Sequence, residues 1–315
     1  MFVYLVRRTI SLLPIFFLMT IIVFFLIRQV PGDPIDVMYG SEGMDEARRE
    51  VLRRDLGIDQ PVVIQYAKWL GRAFTGDLGR SYRAQMTVVE LVGQRLPATL
   101  LLSFAALFIS ILVALPLGVI AAVHRNSWAD LSAMGLAIFG ISLPNFWTGI
   151  MLALIFAVWL KWLPSIGYVS PLQDPVAGIR HLILPAVTLG FSLAGTTTRL
   201  TRSTMLEELG KDYVRTARGK GLTERSVLIA HTLRNALIPT VTMIGLQLGF
   251  LIGGTVVVEV VFAWPGIGQL LVNSIFARDY PVVQGVILVV AGMVVLINLM
   301  VDMIYTILDP RIRLQ

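Results

Sequence analysis

The sequence predicts an all-α integral membrane protein with six transmembrane helices, and three observations lead there. Hydrophobic residues make up 56% of the 315 positions and charged residues only 15%. The mean hydropathy of +0.77 is too high for one water-soluble domain. Apolar runs recur at the length a span needs, roughly 20 residues, without the alternation of a barrel strand. Lipid offers backbone N–H and C=O groups no partner, so such runs close their hydrogen bonds internally as helices. The net charge of +6 does not indicate nucleic acid, because the cations gather at the ends of apolar runs instead of covering a polar face. There is no cysteine, hence no disulfide framework, thiolate metal site or thiol nucleophile.

The first element is residues 1–28. Its charged start resembles a signal peptide, but the apolar run from Thr9 to Ile27 exceeds a normal signal core and no small-x-small site precedes Pro31. An uncleaved helix is expected. The next segment, 29–97, is too long for a plain connector. Within it MDEARREVLRRDLG reads as a helix ending at Gly57, and Pro61 opens a second in which Val63, Tyr66, Ala67, Leu70 and Phe74 share a face. This is a small helical extracytoplasmic subdomain, either a cap over helix ends or a docking surface for a substrate-delivering protein.

The remaining spans fall at 98–123, 132–160, 182–200, 237–261 and 284–307, a five-helix core within 98–307 followed by a cytoplasmic tail, 308–315. Pro14, Pro116, Pro144 and Pro185 interrupt some of the spans, where membrane helices accommodate proline as kinks or breaks. A cytoplasmic N-terminus places Arg7, Arg8, Arg125, Arg199, Arg202, Lys211, Arg215, Arg218, Lys220, Arg225, Arg234, Arg311 and Arg313 inside, against Lys161, Arg180 and Arg278 outside. That asymmetry puts both termini in the cytoplasm.

The loop 201–236 stands out. Its stretch DYVRTARGKGLTERSVLIAHTLRNALIP concentrates cations between two apolar runs. Gly210 ends one helix, Asp212 caps a short one through Arg218, and Gly219 with Gly221 breaks it before Thr223 starts another. Orientation needs a few cations; it does not need two helices with a glycine hinge between them.

Catalytic chemistry is not legible. GKGLTE at 219–224 lacks the first half of a phosphate cradle. HExxH, GxSxG and paired histidines are absent, and His124, His181 and His231 fall near membrane surfaces. Neither catalytic nor metal residues are assigned. Acidic groups within spans are Glu259 and Asp302, both near span ends, where water or a neighbouring polar group satisfies them. This disfavours an ion-coupled secondary transporter, the alternative from a different class, as does the lack of a visible internal repeat.

The motifs then show a resemblance. VPGDP at 30–34, GDLGRSY at 76–82, RLPATLLL at 95–102, GISLPNFWTGIML at 140–152, VVVEVVFAWPGIGQLL at 256–271, RDYPVVQG at 278–285 and DPRIR at 309–313 occur in order along the whole chain. Together with the loop they resemble the permease subunits of ATP-binding-cassette importers of the dipeptide, oligopeptide and nickel type. The family's loop signature is Glu-Ala-Ala, three residues, Gly, nine residues, Ile-x-Leu-Pro. Aligned on Gly221, its first three positions become Arg215, Thr216 and Ala217, and its tail His231, Leu233 and Arg234, with proline arriving at Pro239. Ala217, Gly221 and Leu233 match; the glutamate does not. The peptide-type branch, with forms like YVRTARxKG followed by LRNALIP, is closer.

The resemblance implies a type I importer permease fold in a bacterial inner membrane. It implies a second homologous permease as heterodimer partner, two cytoplasmic ATPase subunits carrying ATP and magnesium, and an extracytoplasmic substrate-binding protein; this chain itself binds no cofactor. Tyr213, Arg215, Thr216, Ala217, Arg218, Gly219 and Gly221 become the ATPase-coupling loop, with small Ala217 allowing close approach to the partner. Peptides are the implied cargo, and nickel complexes, glutathione or opine-like solutes the alternative. Asn145, Gln247 and Asn298, polar within spans, are candidates for the translocation path or for interhelical hydrogen bonds.

Overall fold

The computed structural model describes residues 16–25 and 59–308, with isolated positions 11, 14, 50, 51 and 54. The expected helix before Gly57 and the tail beyond 308 lie essentially outside them. Regular structure among the described residues is helical, apart from one bridge between Arg80 and Thr87. The chain divides into two compact units, one formed by the residues up to Ala98 with Pro265–Leu296, the other by Thr99–Trp264 with the residues from Ile297 on.

In the first unit, α1 (Phe16–Phe25) is the described part of the first span, and α2 (Val62–Phe74) follows Pro61. The two meet where Thr20 Oγ1 lies 2.8 Å from the Tyr66 hydroxyl and the Phe24 ring packs against Tyr66 and Trp69, at 5.2 and 5.6 Å. The apolar face expected of α2 is therefore only partly used. Tyr66 and Leu70 are half-buried, but Val63, Ala67 and Phe74 are exposed. Trp69, on the flank of the apolar arc that meets Phe24, is half-buried in their place.

α3 (Val88–Val123) starts ten residues earlier than its predicted span. Thr87 and Glu90 form a reciprocal cap there: the Thr87 N–H donates to Glu90 Oε2 at 3.0 Å and the Glu90 N–H to Thr87 Oγ1 at 3.2 Å. The preceding loop is fixed by buried Asp279, which accepts from the Ser81 hydroxyl and from the Tyr82 N–H at 3.1 Å. Asp279 immediately precedes the long helix that starts at Tyr280, so one carboxylate joins GDLGRSY to RDYPVVQG. Val88, Val92, Ile267, Val282 and Val286 form the unit's core.

In the second unit, α4 (Trp128–Ser142) and α5 (Asn145–Ala153, continued by the π-helical turn Leu154–Trp159) replace the single span expected at 132–160. They bend by 104° at Ser142–Pro144, because proline removes a donor and disfavours helical geometry in the residue before it. α6 (Pro175–Leu209) is continuous through Pro185 and starts where Asp174 Oδ1 accepts from the Val176 and Ala177 N–H groups, both at 3.0 Å. α7 is Asp212–Gly219. α8 (Glu224–Gly254) includes the π-helical stretch Val227–Leu233 and stops short of the predicted 261, where a separate helix α9 (Val256–Val261) follows. α10 (Ile267–Phe276) belongs to the first unit, and α11 (Tyr280–Leu308) begins in the first and ends in the second.

Among the described residues four helices are long and apolar enough to cross a membrane, five if α4 and α5 count as one bent span. They approach each other through glycine. A Cβ at Gly195 of α6 would lie 2.4 Å from the Ala137 carbonyl oxygen of α4, one at Gly190 2.8 Å from the Ala106 carbonyl oxygen of α3, and one at Gly245 of α8 2.5 Å from Val301 Cγ2 of α11. Small residues let membrane helices pack closely where no hydrophobic force separates protein from lipid. Glu259 on α9 is fully buried, and its Oε1 accepts from Thr99 Oγ1 at 2.7 Å and Thr255 Oγ1 at 2.9 Å. Neighbouring hydroxyls thus satisfy the carboxylate, as burial in an apolar setting demands.

Candidate functional site

α6 ends at Gly210, and Lys211 leads into α7. Asp212 does not cap the helix as expected: Lys211 holds the cap position without a side-chain bond, and Asp212 sits in the first turn. There its exposed carboxylate meets the positive end of the helix dipole and pairs with Arg215 at 3.6 Å. At the other end Gly221 has φ +78°, a left-handed conformation that glycine adopts without cost, and Thr223 then caps α8 by accepting from the Ser226 N–H at 3.4 Å. Arg218 straps this turn, donating from Nε and Nη2 to the Glu224 carboxylate at 2.8 and 3.3 Å.

α7 has two unlike sides. Val214 and Ala217, three residues apart and so on one face, are buried against Val227 of α8. Ala217 therefore packs inward against its own chain and does not offer a close approach to a partner. Tyr213 is half-buried; its hydroxyl donates to Glu208 Oε2 at 2.5 Å and accepts from Asn235 Nδ2 at 3.2 Å. Burial, followed by the Glu208 carboxylate, pushes the phenol pKa up, so it stays a neutral donor. Lys211 also pairs with Glu208, which holds its ammonium above the ordinary lysine range. Since Glu208 lies on the last turn of α6 and Asn235 on α8, one hydroxyl stitches α7 to both long helices.

The π-helical stretch lies directly beneath. Its altered register leaves the His231 carbonyl to accept from Asn235 Nδ2 at 3.3 Å, with the Tyr213 hydroxyl 3.4 Å away, while Thr232 Oγ1 donates to the Val227 carbonyl at 3.0 Å. The opposite side of α7 is bare: Asp212, Arg215, Thr216, Arg218, Gly219, Lys220 and Gly221 are exposed, and a Cβ at Gly219 or Gly221 would meet nothing within 4 Å. The arrangement is a cationic knob with an apolar base, and it can bear on a surface and pass displacement to α6 and α8.

The three polar residues considered for a path occupy different elements. Asn145 opens α5 after the bend and is half-buried. Gln247 is buried in the α6–α8 crossing, donating from Nε2 to Thr197 Oγ1 at 3.0 Å and to the Leu193 carbonyl at 3.3 Å. Asn298 is half-buried beside Gly249. Sequence reasoning missed Glu208 and Glu224 as partners of the loop; EELGKDY and LTERS supplied acids next to the cations, but pairing across a turn has no periodic signal.

Residues 114–314 match the model of the binding-protein-dependent transport system inner membrane component, and residues 1–103 match its N-terminal counterpart. A putative peptide transport system permease protein of Brucella abortus (strain 2308) is 44% identical over 98% of both chains. A dipeptide transport system permease protein of Escherichia coli (strain K12) is 40% identical over 98% of both. Among solved structures, a chain of the MetNI methionine ABC transporter in an inward-facing conformation aligns with TM-score 0.58 at 21% identity, covering 70% of this chain and 96% of that one. A chain of an amino acid ABC transporter with histidines gives 0.53 at 13%, covering 69% and 94%. The fold is that of the type I ABC importer permeases.

Proposed function

This chain belongs to the binding-protein-dependent transport system inner membrane components, and from that membership we propose that it is the permease for di- or oligopeptides in an ATP-driven importer. It forms the translocation path together with a second, homologous permease in a heterodimer. Two cytoplasmic ATPase subunits supply ATP and magnesium chemistry, and an extracytoplasmic binding protein delivers the cargo. Both termini and the loop 201–236 face the cytoplasm, where the cation asymmetry draws them. The names of the Brucella and E. coli relatives support peptides as cargo.

The observation that carries the reading is the two-sided α7. Its inward side, Tyr213, Val214 and Ala217, fixes it to α6 and α8. Its outward side, Arg215, Thr216, Arg218, Gly219 and Gly221, is open to an acidic cleft on an ATPase. Movement of the ATPases shifts α7, and α6 and α8 follow, opening the path alternately to each side. Asn145, Gln247 and Asn298 border that path or brace the helices that form it. Selectivity resides in the binding protein, so a permissive path suffices.

The chain has no native cysteine, so Thr216→Cys, exposed on α7, gives a single crosslinking site. In the assembled complex it is expected to crosslink to cysteines scanned over the ATPase surface. Failure at every position would sink the docking assignment, and uptake driven by an ion gradient without ATPase subunits would sink the importer assignment.

A further inference from the structure

α4 and α6 form an antiparallel pair whose register shifts by no more than one residue between the contacts. Asp130 faces Arg202, Ala137 faces Gly195, and Gly140 faces Phe191. In the middle the backbones touch, with no room for a Cβ at Gly195, and at Gly140 a Cβ would lie 3.0 Å from the Phe191 carbonyl oxygen. One end of the pair lies beside the 104° break that begins α5. The other end is closed by a bidentate ion pair: Arg202 Nε donates to Asp130 Oδ1 at 2.6 Å and Nη2 to Oδ2 at 2.7 Å. The Asp130 side chain is only 7% exposed and that of Arg202 25%. The carboxylate also accepts from the Asn126 N–H at 3.0 Å, and Ser127 caps the helix at the Asp130 N–H. The turn between α3 and α4 thus hangs on the guanidinium. Arg202 stands about two helical turns before the end of α6, where α7 begins.

Two planar groups meeting through parallel hydrogen bonds fix orientation as well as distance. We propose that Asp130 and Arg202 are positioning residues for transport: the pair makes α4 move with α6, so that displacement of α7 reaches the broken span. The proposal rests on the reading of α7 as the docking element. Its specific content is that the pair governs how much uptake each hydrolysed ATP delivers, beyond any contribution to holding the helices together.

The test uses the complete complex, with its partner permease, ATPases and binding protein, in proteoliposomes loaded with ATP. If the wild-type complex shows no ATP-dependent uptake, the functional reading itself fails. Given that uptake, Arg202→Gln is expected to retain hydrolysis while the ATP used per peptide rises about tenfold, within the usual range of coupling energies. Arg202→Lys, which keeps the charge without the fork, is expected to give a smaller rise. The exchange of both residues, Asp130→Arg with Arg202→Asp, is expected to restore part of the coupling. An unchanged ATP-to-peptide ratio in assembled Arg202→Gln complexes would overturn the proposal, as would hydrolysis and uptake falling in parallel. Should Arg202→Gln fail to assemble, Arg202→Lys decides: an unchanged ratio there counts against the pair.

Discussion

Glycine performs opposite tasks in α6 and in the α7 turn. At Gly195 and Gly190 neighbouring backbone leaves no space for a Cβ, and φ is unremarkable; at Gly221 a Cβ would meet nothing within 4 Å and φ is +78°. In the apolar core the residue is needed for its volume, in the loop for its torsional freedom. The core therefore resists any enlargement, whereas the loop resists only what constrains its backbone. A close helix crossing and a tight turn are told apart by which property of the same residue they use.

The largest effect should come from enlarging the core. Gly195→Ile would drive its side chain into the Ala137 carbonyl; overpacking costs about 1–3 kcal/mol or more, and the yield of detergent-stable complex should fall several-fold. Normal yield would mean that the α4–α6 crossing is looser than described. Next comes Tyr213→Phe, which leaves Glu208 and Asn235 short of a partner. Glu208 keeps Lys211 and exposed Asn235 turns to water, so the loss is that of the hydroxyl's bond to a charged carboxylate, about 1.5–3 kcal/mol; uptake should drop with insertion unaffected, as judged by ATP-dependent transport in matched vesicles. Equal uptake would show that the apolar contact with Val227 suffices.

Smaller still is Gly221→Val, where a left-handed φ costs a residue with a side chain about 1–2 kcal/mol. Hydrolysis should continue while uptake falls, and Gly221→Asn, which tolerates that region, should recover most of it. Full uptake in the Val variant would remove the turn from the mechanism. Gly219→Ala should matter least, because it meets nothing and alanine favours helix by about 1 kcal/mol. A marked loss of uptake in that variant would place Gly219 against the docked partner.

Much of this was legible beforehand for physical reasons. Hydropathy located the spans because lipid imposes a single solution on the backbone, and Gly210, Gly221 and Thr223 marked the helix ends through local conformational rules. Helices begin ahead of the expected spans where polar capping precedes the oily run: Thr87–Glu90 begins α3 and Asp174–Pro175 begins α6, each before the first strongly apolar stretch. Ala217 was turned the wrong way because eight residues give too few turns to define a face, and the base it rests on, Val227, belongs to another helix. The Asp130–Arg202 pair, 72 positions apart, was invisible for the same reason. Arg202 alone looked like one more cation marking an inner surface.

The length of α6 has a mechanical consequence. Its 35 residues make a rod of about 52 Å, whereas a bilayer with its headgroups measures about 40–45 Å. An upright rod of that length clears the lipid, so whatever grips its tip works in water and need not disturb the membrane. It also has leverage: a tilt of about five degrees swings the tip by about 4.5 Å at that rise per residue. A small angular change about the far end of the rod and a stroke of several ångströms at its tip are thus the same motion.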